Sequence, residues 1–165
     1  MYKVGIITAS DKGAKGLRQD LSGPAIKDIL RKFDNFHVTQ YELIPDDLEI
    51  IKNAICKMAD EQDIDLILTT GGTGFSRRDV TPEATLAAID RRVPGIPEAM
   101  RYLSLQITPR AMLSRAEAGF RGKALIVNMP GSPKAIAETL EYILSSVEHG
   151  LDTLSGISQD CATLK

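Results

Sequence analysis

Leu66-Ile67-Leu68-Thr69-Thr70-Gly71-Gly72-Thr73-Gly74, continuing through Phe75-Ser76-Arg77-Arg78-Asp79-Val80 to Thr81-Pro82-Glu83, is the stretch that decides the fold of this chain. Residues 65–70 form a short apolar run of the length expected for a strand buried on both faces. Thr81 before Pro82 predicts an N-cap followed by proline at the first helical position. Glu83 then falls in the first turn, where the helix dipole favours a negative charge. Between strand and helix, Gly71, Gly72 and Gly74 remove side chains from the backbone, so its N–H groups can approach an anion closely. Replacing Gly72 by valine is expected to damage ligand binding more than stability. Asp79 beside such a cradle is electrostatically awkward unless a divalent cation lies between it and the phosphates. That points to Mg²⁺ and a nucleotide.

Commoner glycine motifs fit less well. Gly72-Thr73-Gly74 begins like a dinucleotide fingerprint, but Arg77 stands where the third glycine belongs. No Gly-Lys-Ser/Thr closes the loop as in a P-loop. A tight strand-to-helix turn with solvated arginines accounts for this segment taken alone equally well.

The composition sets the class. At 165 residues, 43% hydrophobic and 25% charged, the chain reads as one ordinary globular domain with a substantial core. A net charge of −2 gives no overall basic footprint for nucleic acid, while Arg77, Arg78, Arg91 and Arg92 flank the glycine loop in sequence and suit a small polyanion. Cys56 and Cys161, one in a helical pattern and one in the tail, make neither a disulfide framework nor a CxxC pair. With only His37 and His149 besides, zinc has too few ligands. The N-terminus enters a strand at once, without the apolar region of a signal peptide, and no apolar run approaches a membrane span. A cytoplasmic protein is expected.

Working outward, residues 3–8 read as the first strand, followed by a loop from Ser10 and Asp11 to Gly16. A helix over about residues 24–33 is expected to be capped by Ser22 or Gly23. Residues 37–44 alternate as a second strand and end at Pro45-Asp46-Asp47. Ile51, Ala54, Ile55, Met58 and Ala59 then follow one buried helical face. Beyond the glycine strand come a helix over 82–89, a break at Val93-Pro94-Gly95-Ile96-Pro97, and a helix over 98–106. Residues 116–120 and 123–129 look like a hairpin about Arg121-Gly122. The second of these strands runs into Pro130-Gly131-Ser132-Pro133, where Ser132 caps a helix reaching about residue 149. The domain covers 1–154, with a polar tail over 155–165.

Strands alternating with helices predict an α/β three-layer sandwich, a mostly parallel sheet with helices on both faces and an antiparallel hairpin strand. Ligands of such sheets bind outside the carboxyl ends of the strands. Four loops leave strands there: residues 10–16, 45–47, 71–79 and 130–134. Two carry a lone carboxylate, Asp46 and Asp79, and two end at helices begun by proline, whose free N–H groups favour anions. Each feature has a plainer version. Asp46 with Glu49 resembles a capping box, Ser132 is a helix cap, and Asp11 is a turn residue.

At these residues the chain resembles the molybdopterin adenylyltransferases, the MogA family, with its MoaB-type members of near-identical fold and the related G domain of gephyrin. The resemblance rests on four signatures in order: Thr70-Gly71-Gly72-Thr73-Gly74, Arg78-Asp79-Val80-Thr81-Pro82-Glu83-Ala84, Met112-Leu113-Ser114-Arg115 and Asn128-Met129-Pro130-Gly131. It implies transfer of AMP from ATP to the terminal phosphate of molybdopterin, with Mg²⁺. The family's two aspartates map onto Asp46 and Asp79, as catalytic and metal-holding residues. The resemblance further implies that Gly71, Gly72, Thr73 and Gly74, with Pro130, Gly131 and Ser132, hold phosphates, while Ser10, Asp11 and Ser114 line the pterin side. Family members are trimers or hexamers, so a homotrimer is expected, handing its product to a MoeA-like insertion protein. Some MoaB-type proteins do not perform the reaction, and a non-catalytic pterin-binding module is the alternative. Here Arg78, Asp79, Thr81 and Pro82 are all present, which favours the enzyme.

Overall fold

The computed structural model of the protein describes residues 1–156. Cys161 and most of the tail expected over 155–165 lie outside them. Six strands form one sheet: β1 Tyr2–Ala9, β2 Phe36–Ile44, β3 Leu66–Thr70, β4 Arg91–Arg92, β5 Ala118–Arg121 and β6 Ala124–Met129. Their order is β2-β1-β3-β6-β5-β4. The first four of these run parallel, and β5 joins β6 and β4 by antiparallel pairing. The predicted sandwich with its hairpin strand is the observed fold.

Strand alternation divides the core in two. Ile6, Leu68 and Val127 face one way, onto the helices α2 Ser22–Leu30, α5 Gly95–Leu105 and α6 Pro133–Leu154. Their neighbours Ile7, Ile67 and Ile126 face the other way, onto α3 Leu48–Asp60 and α4 Thr81–Ala88. This is why β3 opens on Leu66-Ile67-Leu68 and β6 is apolar at all but Asn128: neither face meets water. The periodic face of α3 is buried at Ile51, Ala54, Ile55 and Met58, and each large side chain among them contributes about 1.5–3 kcal/mol.

Several local expectations are corrected. The first loop contains a one-turn helix, α1 Asp11–Ala14, capped by Ser10, whose Oγ accepts from Gly13 N at 3.1 Å. Neither Ser22 nor Gly23 caps α2. Instead the Asp20 carboxylate accepts from both of their N–H groups, at 2.9 Å from Ser22 and 3.2 Å from Gly23. Thr81 is not a cap either, since α4 begins at Thr81 itself with Val80 before it. Ser132 does stand at the N-cap of α6 with Pro133 as the first helical residue, as expected, but its side chain makes no cap bond and the helix runs on to Leu154. The Val93–Pro97 break is already the start of α5, because a proline in the first turn has no intrahelical N–H bond to lose. β4 and a 3₁₀ turn at Pro109–Leu113 were not anticipated. Two residues are too few for periodicity to register.

β1 connects to β2 on one side, and the chain then crosses back to β3 on the other. The carboxyl ends of β1 and β3 therefore flank a topological switch point, where sheets of this kind leave a crevice.

Candidate active site

Gly71 ends β3 at that crevice with φ +90°, and a Cβ on it would lie 2.3 Å from the Ala9 carbonyl oxygen of β1. Gly72 follows at φ +63°. Both conformations favour glycine, and the first is also forced by the close approach of two strand ends. A Cβ on Gly72 would meet Thr81 Oγ1 at 2.5 Å and Asp46 Oδ1 at 3.2 Å. A substitution there therefore strikes the start of α4 as well as the loop's open face, so it is expected to cost stability in addition to binding.

Asp46 is brought here from the end of β2. The capping reading is settled against it: Asp47, in extended conformation, caps α3 by accepting from Ile50 N at 3.1 Å. Asp46 Oδ2 instead accepts from Asp11 N at 2.8 Å, and Asp46 N donates to Asp11 Oδ1 at 3.1 Å. The two aspartates thus lock the β1 and β2 loops together through reciprocal backbone bonds. Arg78 grips the outer side of Asp11 with Nε at 2.9 Å and Nη2 at 3.0 Å, which holds the Asp11 carboxyl below its usual range. Asp46 has no such partner. Burial first, then the neighbouring Asp11 and Asp79 charges, push its pKa up.

Asp79 approaches the same loop one step further along. Its Oδ2 lies 2.9 Å from where a Cβ on Gly74 would stand and accepts from Ser76 N at 3.0 Å. Asp46 and Asp79 therefore meet the glycine loop at Gly72 and Gly74. Among the described residues no three His, Cys, Asp or Glu side chains group closely enough for a protein-only metal site. Two carboxylates, neither of them in an ion pair among the described residues, do fit Mg²⁺, which is held by one or two carboxylates plus substrate phosphates. Thr81 Oγ1 beneath them is buried without a hydrogen-bond partner.

Two concavities flank the Pro130–Ser132 loop. A polar cleft of about 420 Å³ is lined by Ser10, Arg18, Asp20 and Gly71 on one side and Gly131 and Ser132 on the other. A more apolar pocket of about 270 Å³ is lined by Thr73, Met100, Arg101, Ser114, Pro130 and Ser132. Ser10 and Ser114, expected on one side of a ligand, thus belong to different concavities. Asp11 lines neither, its carboxylate being committed to Arg78 and Asp46 N. The dividing loop is held from both sides: Thr70 Oγ1 donates to Pro130 O and Ser22 Oγ to Gly131 O, each at 2.7 Å. Arg91 and Arg92 do not reach the glycine loop. Arg91 stacks over Phe120 and Arg92 pairs with Glu117, at the other edge of the sheet.

Two site residues escaped the sequence reading. Asp20, in the wall of the polar cleft, accepts from Tyr41 OH, from Thr8 Oγ1 at 2.9 Å and from two α2 N–H groups. Burial pushes its pKa up, but these hydrogen bonds outweigh burial and leave it lowered. Tyr41 is correspondingly raised to about 12, by burial and by Asp20. Asn128, inside a recognised signature, is a fully buried hub whose Nδ2 donates to Thr69 Oγ1 and Thr85 Oγ1 at 2.8 and 2.7 Å. A lone Asp or Asn in sequence carries no mark of such a role.

Residues 5–149 match the family described as the probable molybdopterin binding domain. The chain belongs to that family. Within it, the chain is 43% identical to the molybdopterin adenylyltransferase of Helicobacter pylori strain J99, over 93% of this chain and 88% of that protein. Identity to the molybdopterin adenylyltransferase of Escherichia coli K12 is 44%, over 90% of this chain and 79% of that one. Gephyrin of Dictyostelium discoideum is 42% identical over 92% of this chain but only 22% of its own length. Among solved structures, the molybdopterin biosynthesis enzyme MoaB of Thermus thermophilus superposes with a TM-score of 0.89 at 49% identity, covering 94% of this chain and 98% of that one. The molybdopterin-binding family thus includes relatives carrying both the adenylyltransferase and the MoaB names.

Proposed function

We propose that this protein is a molybdopterin adenylyltransferase of molybdenum cofactor biosynthesis. The observation that carries the catalytic reading is the pair Asp46 and Asp79, set against the glycine loop at Gly72 and Gly74, with burial and neighbouring acids outweighing the stabilisation Asp46 draws from Asp11 N–H and Arg78. Full-length similarity to proteins named for this reaction supports it.

In the reaction, a terminal phosphate oxygen of molybdopterin attacks the α-phosphorus of ATP. The new P–O bond forms as the bond to the β-phosphate oxygen breaks, and pyrophosphate carries away the electron pair. The nucleophile is already an anion, so the protein needs no general base. Its work is to position two polyanions and to balance their charge. The Gly71–Gly74 backbone and the Pro130–Ser132 loop hold phosphates at the wall shared by the two concavities, which gives each substrate its own side. Asp46 and Asp79 would hold Mg²⁺, which would supply charge neutralisation on the transferring group. Arg78, by occupying Asp11, keeps one carboxylate from adding to the repulsion.

We further propose a homotrimer in the cytoplasm that passes its product to a MoeA-like insertion protein. An exposed apolar surface at Tyr102, Leu105, Ile107, Met112 and Leu113 supports self-association, and among the described residues no helix is long and apolar enough to cross a membrane. Light scattering on the eluted protein measures the oligomer directly. The alternative expected from the sequence is a non-catalytic molybdopterin-binding module of the MoaB type. Incubating purified protein with molybdopterin and Mg-ATP separates the two. Adenylylated molybdopterin and pyrophosphate are expected, whereas pterin binding without AMP transfer would establish the alternative.

A further inference from the structure

Within the loop after β3, Asp79 is fastened to Ser76 by two bonds, Asp79 N to Ser76 O at 2.9 Å and Ser76 N to Asp79 Oδ2 at 3.0 Å. These shape the loop but do not fix it to the fold. Arg115 does. Its backbone N–H donates to Thr73 O at 3.0 Å, its Nε to Gly74 O at 2.7 Å and its Nη2 to Asp79 O at 2.6 Å, while Nη1 pairs with the Glu83 carboxylate. One residue from beyond the 3₁₀ turn thereby holds both ends of the segment that carries Asp79, and the first turn of α4.

The contacts distinguish this role from an ordinary surface ion pair. The Glu83 pair alone would contribute little, since half-exposed pairs are screened by water. Two carbonyls gripped by one rigid planar fork call specifically for a guanidinium, which a lysine ammonium cannot replace. Each carbonyl turned onto Arg115 is also one partial negative charge fewer facing a phosphate. The positive charge itself is largely spent on Glu83, so the contribution is geometric.

We propose that Arg115 is a positioning residue of the adenylyl-transfer site: by holding the Gly74 and Asp79 carbonyls it fixes where the Asp79 carboxylate stands. The inference rests on the function proposed above. Arg115 touches no reacting atom and acts through the Asp79 backbone.

Arg115→Lys keeps the charge and removes the fork, and Arg115→Ala removes both. In Arg115→Lys, kcat is expected to fall about tenfold to a hundredfold, as when a group orienting a metal-holding carboxylate is lost. The Mg²⁺ concentration for half-maximal rate should rise while KM for molybdopterin barely moves, the mark of a contact needed in the transition state. Amide hydrogen exchange at residues 75–79 should accelerate with β1 and β3 unchanged, and added guanidinium should restore part of the rate of Arg115→Ala. A folded Arg115→Lys with unaltered kcat and Mg²⁺ dependence overturns the proposal. So does a lost rate that tracks a lower melting temperature while exchange at 75–79 stays as in the parent. The exchange readout needs no turnover. If the parent itself transferred no AMP, the functional reading would fail alone, and exchange at 75–79 would still uphold or overturn the clamp.

Discussion

Asp63 at the amino end of the sheet and Asp46 at its carboxyl end are treated in opposite ways. At the amino end, Asp63 pairs with Lys3 and with Lys123, and Asp65 accepts from Lys3 N at 2.8 Å. The lysines, Lys123 first, bring Asp63 down to about 2. At the carboxyl end, Asp46 is raised by burial and by two neighbouring acids, and the Arg78 fork, which opposes this only from a distance, is committed to Asp11. The amino-end acids are thus paired within the chain, whereas Asp46 makes no ion pair among the described residues, and under the proposed function that is where a cation would sit.

The sharpest way to break this contrast is Asp79→Asn. Asparagine keeps an oxygen for Ser76 N, so the fold should stand while AMP transfer falls by at least about a hundredfold. Product formation under saturating substrates, with a melting curve as control, measures this, and near-parental turnover would put Asp79 on the structural side of the comparison.

Asp46→Asn should lower transfer by roughly tenfold to a hundredfold and be partly rescued by high Mg²⁺. Its stability signature is the more telling. A carboxyl raised by folding binds its proton more tightly in the native state, so its ionisation costs stability above the folded pKa. That cost vanishes as pH falls below the unfolded value of about 3.9. The variant should therefore melt at least as high as the parent at pH 7, with any advantage gone at pH 3. A clear loss of stability at pH 7 would show that Asp46 is paired after all.

Gly72→Ala tests the loop between them. Positive φ and contact with Thr81 Oγ1 should together cost about 1–2 kcal/mol or more, read as a lower denaturation midpoint with weaker molybdopterin binding. An unchanged midpoint would mean that the Gly71–Gly72 backbone readily moves.

The smallest effect belongs to the amino end. Asp63 sits at φ +56°, which asparagine tolerates, so Asp63→Asn removes charge without new strain. A slightly lower melting temperature at pH 7 is expected, with catalysis untouched. Because the folded pKa is depressed, the contribution is present above about 3.9 and lost as pH falls towards about 2. The deficit should shrink over that window and in high salt. A deficit independent of pH would rule out the ion pairs as its source.

Legibility followed the range of each interaction. The β3 strand, its glycine turn and the buried face of α3 were readable because periodicity and glycine spacing are local. Particular cap bonds were not: Asp20 replaced Ser22 as the source of cap bonds for α2, and Asp47 displaced Asp46 at α3, since neighbouring polar side chains compete for the same few N–H groups. Arg115 was visible as part of a signature but not as a clamp.

The sequence by itself determined the succession along the chain of every strand but β4 and of the longer helices, their double-sided core and the family, because each is written in local pattern and in four contiguous signatures. Only the tertiary structure decided that Asp46 turns away from its own helix to Asp11, that Ser10 and Ser114 face different concavities, and that Arg115 reaches back to Asp79. Those outcomes depend on which strand ends the sheet order places side by side. Strand order is fixed by packing between segments far apart in the chain, and no local pattern records it.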